Sequence, residues 1–297
     1  MLTSIAEILK ETQRLKTKTL VVVKANDIPV LKAIKAASNE DIIHAVLIDA
    51  KDALLKTMND LSMNVKDYEI VDIEDKFEAS KEAVKRVSNA NDAILMKGLV
   101  DTSVILRAAL GKGQGLRGQN RLSHVSVMES DKYHKLLIMS DGAMNIAPDV
   151  NVKKEIIENA LDVTKALGIK KANVAILAAV EKVNDKMPAT LDAEKLKAMP
   201  FDNALVDGPF ALDNAINKDA AAHKNITSSM AGDADILLMP MIEAGNIFYK
   251  TMMFLSNAKS ASVIMGATHP IVLTSRADTF ETKFHSIALA ALIAASK

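Results

Sequence analysis

Apolar runs short enough to be strands recur along this chain with helical stretches between them, and no other feature narrows its fold as much. "TLVVVKAN" (residues 19–26) reads as a strand, and Pro29 to Ser38 reads as a helix with proline in its first turn. "IIHAVLID" is a strand, Asp52 to Leu61 a helix, "YEIVDIE" a strand, Lys76 to Ser88 a helix, "DAILMKG" a strand and Thr102 to Leu110 a helix. Strands that are apolar throughout need cover on both faces, and a helix after each strand provides it, so the class is α/β with parallel, helix-covered sheet. The apolar residues agree, because seven Phe, three Tyr and no Trp leave Val, Ile, Leu and Ala to build the core.

The alternation breaks at "GKGQGLRGQNR" (residues 111–121), where four glycines and three basic residues read as a loop. "HVSVME" and "KLLIMSDGAM" follow as a hairpin, and an antiparallel pair of this kind often marks a change of lobe, which places a boundary near Lys132. The second half then repeats the style. Helices are expected at Val152 to Leu167, Thr190 to Met199, Asp213 to Ile216 and Asn246 to Asn257, strands at "NVAILAAV", "NALVDGPF", "DILLMP" and "SASVIMG", and a last helix at Thr279 to Ser296. A chain of 297 residues is long enough for two such lobes.

Thirty-seven basic residues balance thirty-seven acidic ones, so no overall field draws in nucleic acid or an anionic membrane, and any anion site is local. The apolar run "IALAALIAA" (residues 287–295) is far short of the roughly 20 residues that span a bilayer, and the N-terminus reads as an amphipathic helix, so the expected location is the cytoplasm. With no cysteine the chain has no disulfide, thiolate metal site or cysteine nucleophile, and its six histidines show no metal spacing.

Where a strand of such a sheet runs through a small or polar turn into a helix, free backbone N–H groups and the helix dipole favour a bound phosphate. Four segments have this form. In "MKGLVDTSVILRAALGKG", Lys97 and Gly98 end a strand, Asp101 or Thr102 caps a helix, and Arg107 lies five residues beyond Thr102, off its face; a capped helix with a solvated arginine is the plain alternative. "IMSDGAMNIAPDV" carries Asp141 and Asn145 and is otherwise an ordinary turn. In "MPMIEAGNIFYK", Gly245 and Asn246 open a helix with Lys250 one turn on, and Asn246 is a default cap. In "VLTSRADTF", Asp278 and Glu281 have capping-box spacing, which leaves Ser275 and Arg276 in the turn; a guanidinium there offers planar paired donors to a phosphoryl group. His269, before Pro270, stands beside this turn in the sequence.

Taken in order, "KG…T…R", "SDGAMNIAPD", "DILLMPMIEAGNIFYK" and "GATHPIVLTSRAD" before an Ala-rich last helix, the chain resembles the phosphate acetyl/butyryltransferase family over nearly its full length. "THPIVLTSRADTFETKFHSIALA" looks closest to the butyryltransferase branch. The resemblance implies two three-layer α/β/α lobes with a cleft between them, similar to isocitrate/isopropylmalate dehydrogenases, and usually a homodimer or higher homo-oligomer. Lobe one would span residues 1–131 plus 267–297 and carry the Ser-Arg motif; lobe two, 132–266, would serve dimerisation. The implied reaction is butyryl-CoA plus phosphate giving butyryl phosphate plus CoA, with no bound cofactor and with coenzyme A, acyl phosphate and phosphate as the partners. Its nucleophile is the CoA thiol, so the enzyme works by positioning and charge neutralisation. In the family the motif's arginine holds phosphate and its serine stabilises the reacting acyl phosphate, roles that carry to Arg276 and Ser275. Thr102 and Arg107 match the first-lobe motif, and Lys97, Ser123, Asp141, Asn145, Asn246, Lys250, His269 and Pro270 complete the implied substrate-binding set.

One departure concerns the base. Acetyl-specific relatives carry an aspartate several residues after the Ser-Arg pair, whereas this chain reads Phe280-Glu281-Thr282-Lys283, which leaves Glu281 as the nearest candidate or the thiol to be deprotonated beside the cationic site alone. Acetyl transfer, a dehydrogenase of the same architecture, and a non-catalytic acyl-CoA or phosphate-binding protein stay open as alternatives.

Overall fold

The computed structural model describes residues 1–297 apart from Lys112, Gln114, Arg276 and Lys297. The chain first forms α1 (Ile5–Thr12), β1 (Lys18–Val23), α2 (Ile28–Asn39), β2 (Ile43–Asp49), α3 (Lys51–Asp60), β3 (Glu69–Asp72), α4 (Lys76–Ser88), β4 (Ala93–Lys97) and α5 (Thr102–Ala109). It continues through β5 (Ser123–Glu129), β6 (Leu137–Ser140), α6 (Val150–Ala166), β7 (Ala172–Leu177), α7 (Pro188–Lys197), β8 (Ala204–Phe210), α8 (Leu212–Ile216), α9 (Lys218–His223), β9 (Ile236–Leu238) and α10 (Ile242–Leu255). It ends with β10 (Lys259–Met265), β11 (Ile271–Val272) and α11 (Phe280–Ser296).

Two compact units result. The first comprises Ala6–Gln119 and Ala261–Lys297, the second Met1–Ile5 and Asn120–Ser260. The chain thus changes unit ahead of the β5–β6 hairpin and returns within β10, where the sequence suggested residues 131 and 267. The hairpin moves as a whole because β5 and β6 pair directly, Ser126 opposite Met139, and β6 in turn pairs with β9.

In the first unit β3, β2, β1, β4 and β11 are parallel neighbours in that order, and β10 closes the row antiparallel to β11. In the second, β5 and β6 are antiparallel while β6, β9, β7 and β8 run parallel. Every residue of β4 is buried, as a strand covered on both faces requires. The expected helices start where a side chain can take up free N–H groups: Asp27 accepts from Val30 in α2, Asp75 from Phe77 and Glu78 in α4, and Asp149 from Val152 in α6. The short helix α9 had no expected counterpart.

The last helix supplies much of the first unit's core. From Ser286 to Ala294 every residue of α11 is buried, and the helix lies against α2, β4 and β11. An apolar helix of this kind is stable only when surrounded, each buried Leu or Ile contributing about 1.5–3 kcal/mol.

Register determines what meets at the carboxyl ends of the strands. Val23 pairs with Lys97, and Met96 is opposite Val22 on one side and Val272 on the other. Just beyond, the Gly98 N–H donates to Val23 O at 2.8 Å and the Leu99 N–H to Lys24 O at 2.7 Å. A Cβ on Gly98 would stand 2.0 Å from the Lys24 carbonyl oxygen, so only glycine permits this approach. Gly98→Ala is expected to cost about 3 kcal/mol, read as a lower urea midpoint at constant m-value.

Candidate active site

The carboxyl edge of the first unit brings two of the four sequence motifs together. Because β11 pairs in parallel with β4, the turn that follows Val272 emerges beside the turn that follows Lys97. Ser275 is exposed there and Thr274 is buried. The Ser275 N–H donates to Asp278 Oδ2 at 2.7 Å, Ser275 Oγ accepts from the Ala277 N–H at 3.3 Å, and Ser275 O accepts from the Asp278 N–H at 3.2 Å. Arg276, the other half of the motif, lies outside the described residues.

These bonds replace the expected capping box. Asp278 is engaged with Ser275, and α11 is capped by Thr279, whose Oγ1 accepts from the Thr282 N–H at 3.3 Å. Glu281 is exposed in the first turn of the helix.

Lys97 is buried, and its ammonium is turned onto its own turn, donating to Gly98 O at 3.2 Å and Val100 O at 3.0 Å. One strand over, Lys24 pairs with the buried Asp49 carboxylate, which also accepts from the N–H groups of Asn26 and Ala50 at 2.9 and 2.8 Å. Beneath Ser275 lies Lys283, 3% exposed, donating from Nζ to Ser275 O at 2.8 Å and to Thr274 Oγ1 at 3.2 Å. Burial pushes the Lys283 ammonium below the ordinary lysine range, against the attraction of Asp278 and Asp27. The sequence reading passed over Lys283, although its signal was present. Positions 283, 287, 290 and 294 form one helical stripe, and the other three are apolar.

Thr102 opens α5 and is exposed, and Asp101 at the cap position pairs with Lys76 at 3.1 Å rather than with a helix N–H. Arg107 is also exposed but points elsewhere, since five residues turn a helix by about 140° beyond a full revolution. It borders an open groove of about 340 Å³ with Phe77, Lys81, Val84 and Val104.

His269 and Pro270 do not join this edge. They precede β11, so they stand at the amino ends of β4 and β11: His269 Nε2 is 2.7 Å from Ala90 O, ahead of β4, and Pro270 O accepts from the Leu95 N–H at 3.3 Å. Closeness to Ser275 in sequence is undone by the strand between them. Of the basic residues in the glycine-rich loop, Arg117 bridges to Ala267 and donates from Nε to Leu110 O at 2.9 Å, while Lys112 lies outside the described residues.

The second unit joins the other two motifs. The Ser140–Asp141 peptide is cis. Asp141 is buried, and its carboxylate accepts from the N–H groups of Ala143 (2.8 Å), Met144 (3.1 Å) and Asn145 (3.1 Å) and from Asn145 Nδ2 (2.7 Å). So engaged, Asp141 shapes the turn. Asn145 Nδ2 also donates to Leu122 O at 2.9 Å, and Ser123, fully buried, accepts from Asn159 Nδ2 at 2.8 Å. Helix α10 begins at Ile242, four residues before the expected Asn246, so Gly245 lies inside it. A Cβ on Gly245 would be 2.3 Å from Asp141 O, so this glycine lets the helix rest on the turn, and Asn246 Nδ2 then reaches Gly142 O at 3.2 Å. Lys250 is exposed on the same helix.

Among the described residues no group of three or more His, Asp or Glu side chains is arranged to hold a metal ion, and no helix is long and apolar enough to cross a membrane.

Residues 76–291 match the family model described as "Phosphate acetyl/butaryl transferase". The chain belongs to this family of acyltransferases. Its edge motifs, residues 96–113, 138–150, 239–250 and 266–278, all fall inside the matched stretch. A phosphate butyryltransferase of Clostridium beijerinckii is 44% identical over 97% of this chain and 97% of its own length. A phosphate acetyltransferase of Thermotoga maritima is 41% identical, over 97% and 99%. The crystal structure of a branched-chain phosphotransacylase from Enterococcus faecalis superposes with a TM-score of 0.84 at 33% identity, covering 94% of this chain and 99% of that one. The family uses coenzyme A as a substrate.

Asp141→Ala, which takes the carboxylate acceptor from three backbone N–H groups and leaves the Asn145 amide only Leu122 O, is expected to lower stability by about 2–4 kcal/mol in urea unfolding. Asp141→Asn should recover part of that loss.

Proposed function

We propose that this acyltransferase moves a butyryl group reversibly between coenzyme A and inorganic phosphate, with the Ser275–Arg276 turn as the point where phosphate or acyl phosphate is held. The observation that carries this reading is an exposed Ser275 at the carboxyl edge, in a chain 44% identical over 97% of both lengths to a phosphate butyryltransferase. Acetyl transfer is the second reading, favoured by the 41% identity to a phosphate acetyltransferase over nearly the same span.

The chemistry needs little from the protein beyond placement. The CoA sulfur attacks the acyl carbon of the acyl phosphate, the C–O bond to phosphate breaks, and phosphate leaves with the electron pair. The reverse reaction runs through the same tetrahedral species. Arg276 offers paired donors to the phosphoryl oxygens, and the Ser275 hydroxyl donates toward the oxygen on which charge builds. Thr102 and Lys97 are assigned to substrate phosphates at the same edge, with Lys97 acting through the turn that its ammonium braces, and Arg107 to substrate groups reaching the groove that it borders on another face of α5. Asn145, Asn246 and Lys250 are assigned to substrate contacts on the second unit, Asp141 and Ser123 to holding that surface in shape. Glu281, exposed in the first turn of α11 and six residues after Ser275, is the candidate to take the thiol proton. The amino-edge positions of His269 and Pro270 argue for a role in holding the β11 entry.

The chain is assigned to the cytoplasm as a homodimer. Assembly through the second unit is supported by α10, where Ile247, Phe254 and Leu255 are 65%, 67% and 84% exposed. Light scattering should give a dimer for the wild type and a shift toward monomer for Phe254→Glu; a monomeric wild type removes this assignment.

Phosphate-dependent release of CoA thiol from butyryl-CoA tests the activity, and its absence with every short acyl-CoA would remove it. Comparing kcat/KM for acetyl-, butyryl- and isobutyryl-CoA decides between the two readings, with butyryl-CoA expected to lead. Arg276→Ala should lower kcat/KM for phosphate by about 10²-fold, the loss of a charge-assisted contact, and unchanged kinetics would take Arg276 out of the site.

A further inference from the structure

Lys283 stands out among the buried charges of the first unit because its partners belong to the proposed reactive turn; Lys97, also buried, donates to the carbonyls of its own turn. Lys18 faces Asp92 at 3.7 Å, and Lys24 pairs with Asp49. Lys283 donates to Ser275 O and Thr274 Oγ1, at 2.8 and 3.2 Å, and forms no ion pair with a carboxylate among the described residues. Burying an ammonium costs several kcal/mol unless strong bonds offset it, and a neutral side chain would fill the same place in α11 without that cost. An apolar residue on this stripe would be the economical choice for stability alone.

The carbonyl that Lys283 holds belongs to the peptide group joining Ser275 to Arg276. Its orientation governs the direction in which the chain leaves Ser275. Three further bonds act on the same residue, from Asp278 Oδ2, the Asp278 N–H and the Ala277 N–H, but all three come from within the turn. Lys283 anchors the turn from outside, to a helix whose next turns are buried against α2, β4 and β11.

We propose that Lys283 is a positioning residue for acyl transfer, its ammonium fixing the Thr274–Ser275 backbone so that the Ser275 hydroxyl and the following residue meet the phosphoryl group in productive geometry. This rests on the assignment of the Ser275 turn as the phosphate-holding element. Misplacing a positioning group by about 1 Å can cost on the order of 100-fold in rate.

The test compares Lys283→Met, Lys283→Arg and Thr274→Val with the wild type, each checked by circular dichroism and thermal unfolding so that rates refer to folded protein. For Lys283→Met, kcat with butyryl-CoA and phosphate is expected to fall by about 10- to 100-fold, with KM for butyryl-CoA within about threefold. Lys283→Arg should recover part of the loss, because a guanidinium can still donate to the Ser275 carbonyl. Thr274→Val, which removes one of the two acceptors, should lose less than Lys283→Met. If folded Lys283→Met keeps wild-type kcat, or loses only thermal stability, Lys283 is a structural residue and the proposal is overturned. A selective rise in KM for phosphate at unchanged kcat would also overturn it, by making Lys283 a direct ligand. Should Lys283→Met fail to fold, wild-type kcat in Thr274→Val and in Lys283→Arg would overturn it equally. Arg276→Ala reports on the underlying assignment separately: unchanged kcat/KM for phosphate in that variant removes the turn as the phosphate-holding element, whatever Lys283→Met does.

Discussion

Parallel pairing of β4 with β1 on one side and β11 on the other is the constraint from which the candidate site follows. Parallel strands end on the same side, so Lys24, Lys97 and the Ser275 turn emerge in a row although 251 residues separate the first from the last. Shifting β11 by one residue would turn Val272 from its place beside Met96 and carry Thr274 away from Lys283. The glycine at 98 permits the backbone contact that keeps β1 and β4 level at this end.

Polar burial at the edges is directed at the backbone. Lys97 braces Gly98 and Val100, Lys283 braces Ser275, and Asp141 in the other unit gathers three consecutive N–H groups. Each such arrangement gives up the hydration of a charge and returns a turn with one geometry. That suits a reaction in which the attacking sulfur and the leaving phosphate both belong to the substrates, leaving the protein to orient them and spread charge.

Much of this was legible in the sequence, for identifiable reasons. The helix expected at Lys76 to Ser88 has those bounds because Asp75 caps it and the apolar period is 3.6; the strand expected at residues 92–98 overruns β4 by one residue at each end, since only the five residues between Asp92 and Gly98 are the buried run. The capping box at Asp278 failed because two carboxylates with the right spacing do not say which N–H groups are nearest; Thr279 caps the helix and Asp278 serves the Ser275 turn. Helix α10 was started late because Gly245 looked like a boundary, when its role is to let the helix touch Asp141. His269 was read as a neighbour of Ser275 because six residues is a short distance in sequence, whereas six residues containing a strand cross the sheet. Lys283 was overlooked because a lysine near a helix start is ordinarily solvated, and only the stripe it shares with Ile287, Ala290 and Ala294 says otherwise.

The account turns on phosphate being held at the carboxyl edge of the first unit. A crystal structure with inorganic phosphate bound tests that most directly. Phosphate is expected within hydrogen-bond reach of Ser275 Oγ and the Arg276 guanidinium, beside the Lys97–Gly98 turn. Phosphate bound instead at the amino edge, among His269 and the glycine-rich loop, with the Ser275 turn empty, would contradict it.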